Sequence, residues 1–381
     1  MTPAPARPTP RGMTDILFSP FRLRNLTLPN RFIMAPMTRS FSPGGVPHED
    51  NASYYARRAR NHVGLILTEG TTVRREGASN DAKVPKFHDD SPLSGWAGVV
   101  EAVHHEGGLI APQLWHTGLM RKPGTGHYPD AASDSPSGIA HNGKQVAPNP
   151  SEEDIADMVA AYADGAAEAA RLGFDAIEIH GAHGYLIDQF FWDRMNTRTD
   201  RYGGDLVGRA TFAAEIIRAC RRAIDATGED LPIILRFSQW KQQDFTVSLT
   251  DDPDEFGRFL NVFRDAGVDA LHCSTRRFWE PGFPDHDAGL TLAGWTKKLT
   301  GLPTIAVGSV GLDADFIGSF AGQGSKSQPI SKVREKIEAG EFDLIAVGRA
   351  LLQDPEWVTK VKEGREADHL DYDAKSLATL Y

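Results

Sequence analysis

The stretch EIHGAHGYLIDQFF, from Glu178 to Phe191, joins the end of a short apolar strand to a segment with helical character. Two imidazoles and a phenol, those of His180, His183 and Tyr185, stand close together at this junction. Side chains of this kind after an apolar run can bind a metal, orient a substrate or fill a core. The rest of the sequence decides which of these uses is favoured.

The strand in this stretch is one of eight short apolar runs, each followed by a longer segment with helical periodicity. We predict strands at Arg31–Met37, Gly64–Thr68, Leu109–Trp115, Asp175–His180, Pro232–Phe237, Asp269–Cys273, Pro303–Gly308 and Asp343–Gly348. We predict the clearest helices at Asp154–Leu172, Gly208–Thr227 and Asp252–Ala266. Eight strand–helix units favour an α/β fold, a single (β/α)8 TIM barrel. A doubly wound sheet is the second choice, because no G-x-G-x-x-G follows any of the strands.

One domain is expected. Residues 1–14 are rich in proline and lack the apolar core of a signal peptide, so they are predicted to be a disordered leader. Residues 15–381 are predicted to hold the barrel, together with an N-terminal hairpin. The segment Arg121–Asn149 is rich in Pro, Gly, Ser and Asp, and is predicted to be a long loop after the third barrel strand.

Composition limits the partners and the compartment. The chain has 381 residues and a net charge of −10, which argues against nucleic acid because phosphate binding favours a basic face. No apolar run approaches the roughly 18 residues of a membrane helix. The two cysteines, Cys220 and Cys273, cannot build a disulfide framework. We therefore expect a soluble, cytoplasmic protein with no membrane partner.

Polar or glycine residues follow almost every predicted strand. In a barrel the C-terminal ends of the strands meet at one face, where catalytic residues collect. The ends here read PMT, EG, QLWH, HGAH, RFS, STR, GS and GR, starting at Pro36, Glu69, Gln113, His180, Arg236, Ser274, Gly308 and Gly348. This arrangement predicts an active site at that face.

With these motifs the sequence resembles the Old Yellow Enzyme family of FMN-dependent ene-reductases, or NADH:flavin oxidoreductases, including 12-oxophytodienoate reductases. The resemblance covers nearly the whole chain. It is carried by LFSPFRLRNLTLPNRFIMAPMTR (Leu17–Arg39), LTEG, QLWHTG, EIHGAHGYLIDQFF, NTRTDRYGG (Asn196–Gly204) and FDLIAVGRALLQDPEW (Phe342–Trp357).

The resemblance implies a tightly bound, non-covalent FMN. Gln113, which carries a donor and an acceptor on one amide, would meet the pyrimidine edge of the ring. Arg236 would lie near N1 and the C2 oxygen, where a reduced flavin accumulates negative charge. Small or rigid residues would lie against the ring, and the hydroxyl of Thr38 would tune it. The remaining implied FMN contacts are Ala35, Pro36, Met37 and Gly70 at the ring, and Gly308, Ser309, Gly348 and Arg349 at the phosphate.

The resemblance also implies an NADPH dehydrogenase, or alkene reductase, with a ping-pong mechanism. NADPH or NADH would reduce FMN and leave, and an enone or enal would enter the same cleft. His180 and His183 would donate to its carbonyl oxygen, flavin N5 would deliver hydride, and Tyr185 would donate the proton. Trp115 and Phe278 are implied as further substrate contacts. A homo-oligomer is one option, with Tyr381 reaching a neighbouring subunit.

Two other readings remain open from the residues alone. The first is a zinc-dependent barrel hydrolase that uses His180 and His183, with Glu178 or His116 as further ligands. The second is a barrel that binds a ligand without catalysis. The accompanying motifs favour flavin over metal, so no metal is expected.

Overall fold

The computed structural model describes residues 15–320 and 322–381. The leader predicted at residues 1–14 lies outside the described residues, so that prediction stays untested. The strands are β1 Phe21–Leu23, β2 Leu26–Leu28, β3 Phe32–Met34, β4 Leu65–Thr72, β5 Ile110–Trp115, β6 Ile177–His183, β7 Ile233–Lys241, β8 Ala270–Ser274, β9 Pro281–Phe283, β10 Asp287–Thr291, β11 Thr304–Val307 and β12 Leu344–Val347.

The α-helices surround these strands. They are α1 Glu49–Arg60, α2 Asp90–His105, α3 Glu152–Arg171, α4 Leu186–Phe191, α5 Leu206–Arg209, α6 Thr211–Asp225, α7 Pro253–Ala266, α8 Leu292–Thr300, α9 Ile317–Phe320, α10 Ser331–Glu338, α11 Arg349–Gln353 and α12 Trp357–Lys362. Within the described residues, no helix is both long enough and apolar enough to cross a membrane.

Eight parallel strands form a closed barrel in the order β3-β4-β5-β6-β7-β8-β11-β12, and β12 pairs back onto β3. All eight predicted strands are present, and the predicted TIM barrel is confirmed. The doubly wound alternative is wrong, because a closed barrel has no open sheet edge. Parallel strands that are covered on both faces consist mostly of apolar residues. This is why they could be predicted from the sequence.

Alternation along the strands divides the core into two layers. On β3, Phe32 and Met34 pack toward the surrounding helices, while Ile33 joins a smaller cluster inside the barrel. The predicted N-terminal hairpin is confirmed as β1 and β2, which pair in antiparallel fashion. Its Leu23 and Leu28 belong to the same inner cluster as Ile33. The hairpin therefore closes the N-terminal end of the barrel and leaves the opposite end for the site.

Helix boundaries follow from capping groups. Ser151 and Asp154 form a reciprocal capping box at the start of α3, which begins two residues before the predicted position. The helix predicted at Gly208–Thr227 is divided instead into α5 and α6, which meet at Ala210. Asp205 caps the first of these two helices by accepting from the backbone N–H of Gly208 at 2.7 Å.

The predicted long loop after the third barrel strand is also present, between β5 and α3. Three side chains hold it in place. His116 lies 2.8 Å from the carboxylate of Asp134, and Arg75 donates to the same carboxylate at 2.7 Å. Arg121 donates to the carbonyl oxygen of Ala131 at 2.7 Å. The small hairpin of β9 and β10 was not predicted from the sequence.

Candidate active site

A large cavity of about 1080 Å³ lies at the C-terminal ends of the barrel strands. Every site residue predicted from the sequence, apart from Phe278, lines this cavity. These residues are Ala35, Pro36, Met37, Thr38, Gly70, Gln113, Trp115, His180, His183, Tyr185, Arg236, Gly308, Ser309, Gly348 and Arg349.

A sharp turn at the end of β6 brings the two histidines and the tyrosine to one wall. His183 has a φ of 66° and Gly184 a φ of 78°, so the chain reverses before Tyr185 opens α4. The ring of His180 meets the rings of His183 and Tyr185 edge to face, with centroids 5.1 Å apart in each pair. Trp115 meets Tyr185 in the same way at 5.0 Å. The three polar rings therefore share one surface.

Burial keeps both imidazoles neutral. It lowers the pKa of His180 and of His183 well below the usual value, and the charge of Arg236 lowers both further. A neutral imidazole carries one N–H donor. In His180 this donor is Nε2, because Nδ1 accepts from the backbone N–H of Ala182 at 3.3 Å.

His183 is held by two neighbours. Its Nε2 lies 2.7 Å from Oγ of Ser274, which also accepts from Nη2 of Arg236 at 3.2 Å. Its ring stacks on the indole of Trp240 with centroids 4.7 Å apart. These contacts fix the imidazole plane against the cavity.

Tyr185 keeps its proton at neutral pH. Burial raises the pKa of its phenol to about 12, although a hydrogen bond from Gln242 and the charge of Arg236 act in the opposite direction. A phenol of this kind can donate a proton to a reacting carbon, provided the pocket accepts the resulting phenolate. Arg236 is the cation that can stabilise it.

Glycine permits the backbone geometry at the end of β11. Gly308 has a φ of 140°, and a Cβ there would lie 2.6 Å from the carbonyl oxygen of Thr275. Ser309 follows with a φ of 49°, and its hydroxyl donates to the carbonyl oxygen of Arg276 at 3.0 Å. This loop is therefore held in a strained form against the end of β8.

Comparison with known proteins places the chain in a family. The model of the NADH:flavin oxidoreductase / NADH oxidase family matches residues 16–368. The chain belongs to this family. The resemblance to Old Yellow Enzymes inferred from the motifs is thereby confirmed, and the protein is an oxidoreductase that uses FMN and NAD(P)H.

Individual family members show how far the similarity extends. An NADH oxidase of Thermoanaerobacter brockii is 35% identical over 92% of this chain, which spans only 51% of that oxidase. The flavin oxidoreductase hxnT of Emericella nidulans is 33% identical, with 93% of this chain and 92% of hxnT covered. The structure of morphinone reductase in complex with tetrahydroNAD matches with a TM-score of 0.75 and 26% identity, covering 92% of this chain and 91% of that one.

The cavity of this family member fits a flat ring at one side. A Cβ at Gly70 would lie 2.8 Å from the ring of Trp115, so glycine is needed for Trp115 to lie against this backbone. The guanidinium of Arg236 is buried, and within the described residues its Nε has no hydrogen-bond partner. An unpaired buried donor of this kind is suited to a polar ligand. These observations fit the pyrimidine edge of FMN.

Gln113 is held by a buried neighbour. Its Nε2 donates to the carboxylate of Glu178 at 2.7 Å. This bond uses one of the two amide N–H groups, so the second N–H and the amide oxygen of Gln113 are left for a ligand.

Gly348 and Arg349, which are predicted to contact the phosphate, lie together at one end of the cavity. Only the ends of neighbouring side chains approach a Cβ position at Gly348, and the nearest atom is Sδ of Met37 at 3.5 Å. The guanidinium of Arg349 donates to the backbone carbonyl oxygens of Ala314 at 2.6 Å and of Asp315 at 2.9 Å. It therefore brings positive charge to this end while it anchors the loop after β11.

Phe278 requires a correction. Its ring is 4% exposed and lies against Trp279 and Phe342, with centroids 5.2 and 6.2 Å away. Its backbone N–H donates to the carbonyl oxygen of Gly308 at 3.1 Å, which turns the side chain into the core. Phe278 does not line the cavity, so the predicted substrate contact is wrong.

Three further aromatic rings form another wall of the cavity. Trp240 lies 5.5 Å from both Phe245 and Phe316, measured between ring centroids. Trp240 and Phe245 follow the fifth predicted strand, which was a usable signal. Phe316 belongs to the loop after β11, and no motif marked it.

No metal centre accompanies the histidines. Across residues 15–320 and 322–381, no three His, Cys, Asp or Glu side chains are grouped so that they could hold a metal ion. Glu178 is engaged by Gln113 and His272, and His116 is engaged by Asp134. The zinc hydrolase alternative gains no support.

Proposed function

We propose that this protein reduces the activated C=C bond of α,β-unsaturated carbonyl compounds, with NADPH or NADH as the reductant. The observation that carries the proposal is the convergence of two neutral imidazoles and one protonated phenol, those of His180, His183 and Tyr185, on the wall of one cavity. Similarity to proteins named flavin oxidoreductase and morphinone reductase supports a reductase.

The two histidines would bind the substrate carbonyl. His180 has its Nε2–H available to donate, and His183 lies beside it with the imidazole plane fixed by Ser274 and Trp240. Each hydrogen bond to the carbonyl oxygen would strengthen by about 1–3 kcal/mol as enolate charge develops. The pair would therefore polarise the alkene toward attack at its β-carbon.

Tyr185 would deliver the proton to the α-carbon. Its raised pKa keeps the phenol protonated at the pH of the reaction, and its edge-to-face contacts with His180 and Trp115 fix the direction of the hydroxyl. We assign Tyr185 as the general acid.

Residues at the strand ends would hold the cofactor. Bound FMN supplies the two-electron transfer from the nicotinamide to the alkene. Arg236 would stabilise negative charge at the pyrimidine edge, and Thr38 would donate to the ring. The other residues proposed at the ring are Ala35, Pro36, Met37, Gly70 and Gln113, and those proposed at the phosphate are Gly308, Ser309, Gly348 and Arg349. One cavity would serve the nicotinamide and the alkene in turn, which gives ping-pong kinetics.

Product analysis tests the proposal. The purified holoenzyme is incubated anaerobically with NADPH or NADH and 2-cyclohexenone, and the products are separated by gas chromatography. We expect cyclohexanone, formed in equal molar amount with the nicotinamide that is oxidised, and no loss of rate after treatment with EDTA. Formation of the allylic alcohol alone, or inactivation by EDTA, would contradict the proposal.

A reducing compartment, the cytoplasm, is proposed as the location. Both cysteines, Cys220 and Cys273, are buried and unpaired, and burial raises the pKa of each thiol to about 12. Thiols of this kind are inert and form no disulfide. Cell fractionation with antibody detection is the check, and a signal confined to a secreted or membrane fraction would contradict it.

Self-association is proposed as well, with Tyr381 as the contact to a neighbouring subunit. In the monomer, Arg57 lies over the ring of Tyr381 at 4.2 Å from its centroid, and the ring remains 65% exposed. Light scattering coupled to size-exclusion chromatography would measure the molar mass. A monomer, or an oligomer that is unchanged by Tyr381→Ala, would contradict this part.

A further inference from the structure

The buried carboxylate of Glu178 has no part in the proposed chemistry, yet it stands directly beneath the cavity. It is located on β6 and is 0% exposed. Nε2 of Gln113, on β5, donates to its Oε1 at 2.7 Å. Nδ1 of His272, on β8, lies 2.6 Å from its Oε2. A buried carboxylate with two hydrogen-bond partners requires an explanation, because burying a charge is costly.

The two partners are both donors. Gln113 can approach a carboxylate only with its amide N–H groups. Burial lowers the pKa of His272, so its ring is neutral, and at 2.6 Å the proton on Nδ1 points to Glu178. With a donor at each oxygen, Glu178 has the partners of a carboxylate, which only accepts hydrogen bonds. This cluster therefore carries one negative charge.

The matching positive charge is that of Arg236. Arg236 is located on β7, next to β6 on one side and β8 on the other, and pairs in register with His180 and His272. Within the described residues, no carboxylate lies close enough to Arg236 to form an ion pair with it. Burial lowers the pKa of Arg236, and the charge of Glu178 acts in the opposite direction. The two buried charges therefore interact without direct contact.

We propose that Glu178 is a positioning residue that sets the reduction potential of bound FMN, because its negative charge offsets that of Arg236 at the cavity. Reduction adds negative charge to the flavin, and Arg236 favours this change. A second, buried negative charge beneath the same site opposes it, since charges interact strongly where water is excluded. The inference rests on FMN occupying this cavity, as the proposed function requires.

The variant Glu178→Gln tests the charge with little change in shape. The amide oxygen of the new side chain still accepts from Gln113, and its amide nitrogen can donate to His272 once that ring changes tautomer. We expect reduced FMN to be favoured over oxidised FMN about tenfold more than in the wild type. For a two-electron couple this corresponds to a rise of about 30 mV in the midpoint potential. The potential is measured on the purified holoenzyme by anaerobic equilibration with a reference dye.

Two further variants test whether a change in potential comes from the charge of Glu178 and not from a loss of stability. Asp134→Asn removes a partly buried carboxylate that is held by His116 and Arg75 and does not line the cavity. We expect its midpoint potential to equal that of the wild type. The double variant Glu178→Gln/His272→Gln removes the same charge as the single variant and provides two amides that can pair with each other. It should show the same rise, so the test does not depend on one variant folding.

The outcomes separate this inference from the proposed function. A potential that is unchanged in both variants lacking the Glu178 charge would overturn the inference, and so would an equal rise in Asp134→Asn. If the wild type reduces 2-cyclohexenone but the variants have the same midpoint potential as the wild type, the proposed function would stand and only the role of Glu178 would be wrong. If the wild type binds FMN but reduces no enone, and Glu178→Gln still raises the potential, the proposed function would be wrong and the role of Glu178 would stand.

Discussion

The phenol of Tyr185 meets the imidazole of His180 edge to face, with the ring centroids 5.1 Å apart. This contact places a protonated acid beside a neutral N–H donor on the same cavity wall. A substrate whose carbonyl oxygen is bound by the imidazole would therefore have its α-carbon near the phenol. The division of roles between the two residues rests on this geometry.

Replacing Tyr185 with phenylalanine should separate the two half-reactions. The ring and its contacts with His180 and Trp115 remain, and only the proton donor is lost. We expect oxidation of the reduced enzyme by 2-cyclohexenone to slow by about 10²–10⁴-fold, while reduction by NADPH changes little. Stopped-flow absorbance measures each step separately. An equal loss in both half-reactions would indicate a binding role instead.

Replacing Gly308 with alanine should impair cofactor retention. The added Cβ would lie 2.6 Å from a backbone oxygen of Thr275, in a conformation with a φ of 140°. We expect much of the FMN to be lost during purification and the melting temperature to fall. Gly301→Ala is the matched control, since Gly301 also has a positive φ but has open space around its Cβ position. The idea fails if both variants retain FMN equally well.

The buried ion pair between Lys241 and Asp188 should be essential for stability. Nζ lies 2.5 Å from the carboxylate, and both side chains are 0% exposed. Lys241→Met leaves the carboxylate uncompensated, and we expect the free energy of unfolding to fall by about 3–5 kcal/mol. Urea denaturation measures this change. Lys326→Met breaks an exposed pair with Asp371 and should cost at most about 1 kcal/mol; similar losses in both would contradict the account.

The titration of Glu69 should make stability depend on pH. Its carboxylate accepts from the backbone N–H groups of Arg39 and Ser40 at 2.8 and 3.1 Å, and burial raises its pKa from 4.5 to about 7. The folded state therefore holds a proton that the unfolded chain has already released between these values. Stability contributed by that proton is complete below about pH 4.5 and is lost as the pH rises through about 7.

Comparison with Glu69→Gln isolates this effect. Over the same interval the free energy of unfolding of the wild type should fall by roughly 3 kcal/mol more than that of the variant. Urea denaturation at about pH 5 and about pH 8 is the measurement. Parallel pH profiles for the two proteins would show that Glu69 does not titrate in this range.

The barrel could be predicted because its signal is local. Buried parallel strands such as β3 and β12 are unbroken apolar runs, and the polar residues that follow the barrel strands must meet at one end of the barrel. His180, His183 and Tyr185 were located for this reason, since all three belong to one strand end.

Other parts of the site depend on contacts between distant segments. The sequence does not show that Glu178 accepts a hydrogen bond from the amide nitrogen of Gln113, which fixes the orientation of that amide at the cavity. The contact between Trp240 and Phe316 joins two loops far apart in the chain. Phe278 was misplaced because the turn after β8 directs it into the core, and that turn depends on a hydrogen bond to Gly308.

Anaerobic titration of the purified protein tests the central claim most directly. The protein should be yellow, with an absorbance band at about 450 nm that disappears on addition of NADPH or NADH and returns on addition of 2-cyclohexenone. A colourless protein that takes up no FMN, or a yellow one that neither nicotinamide bleaches, would contradict the account.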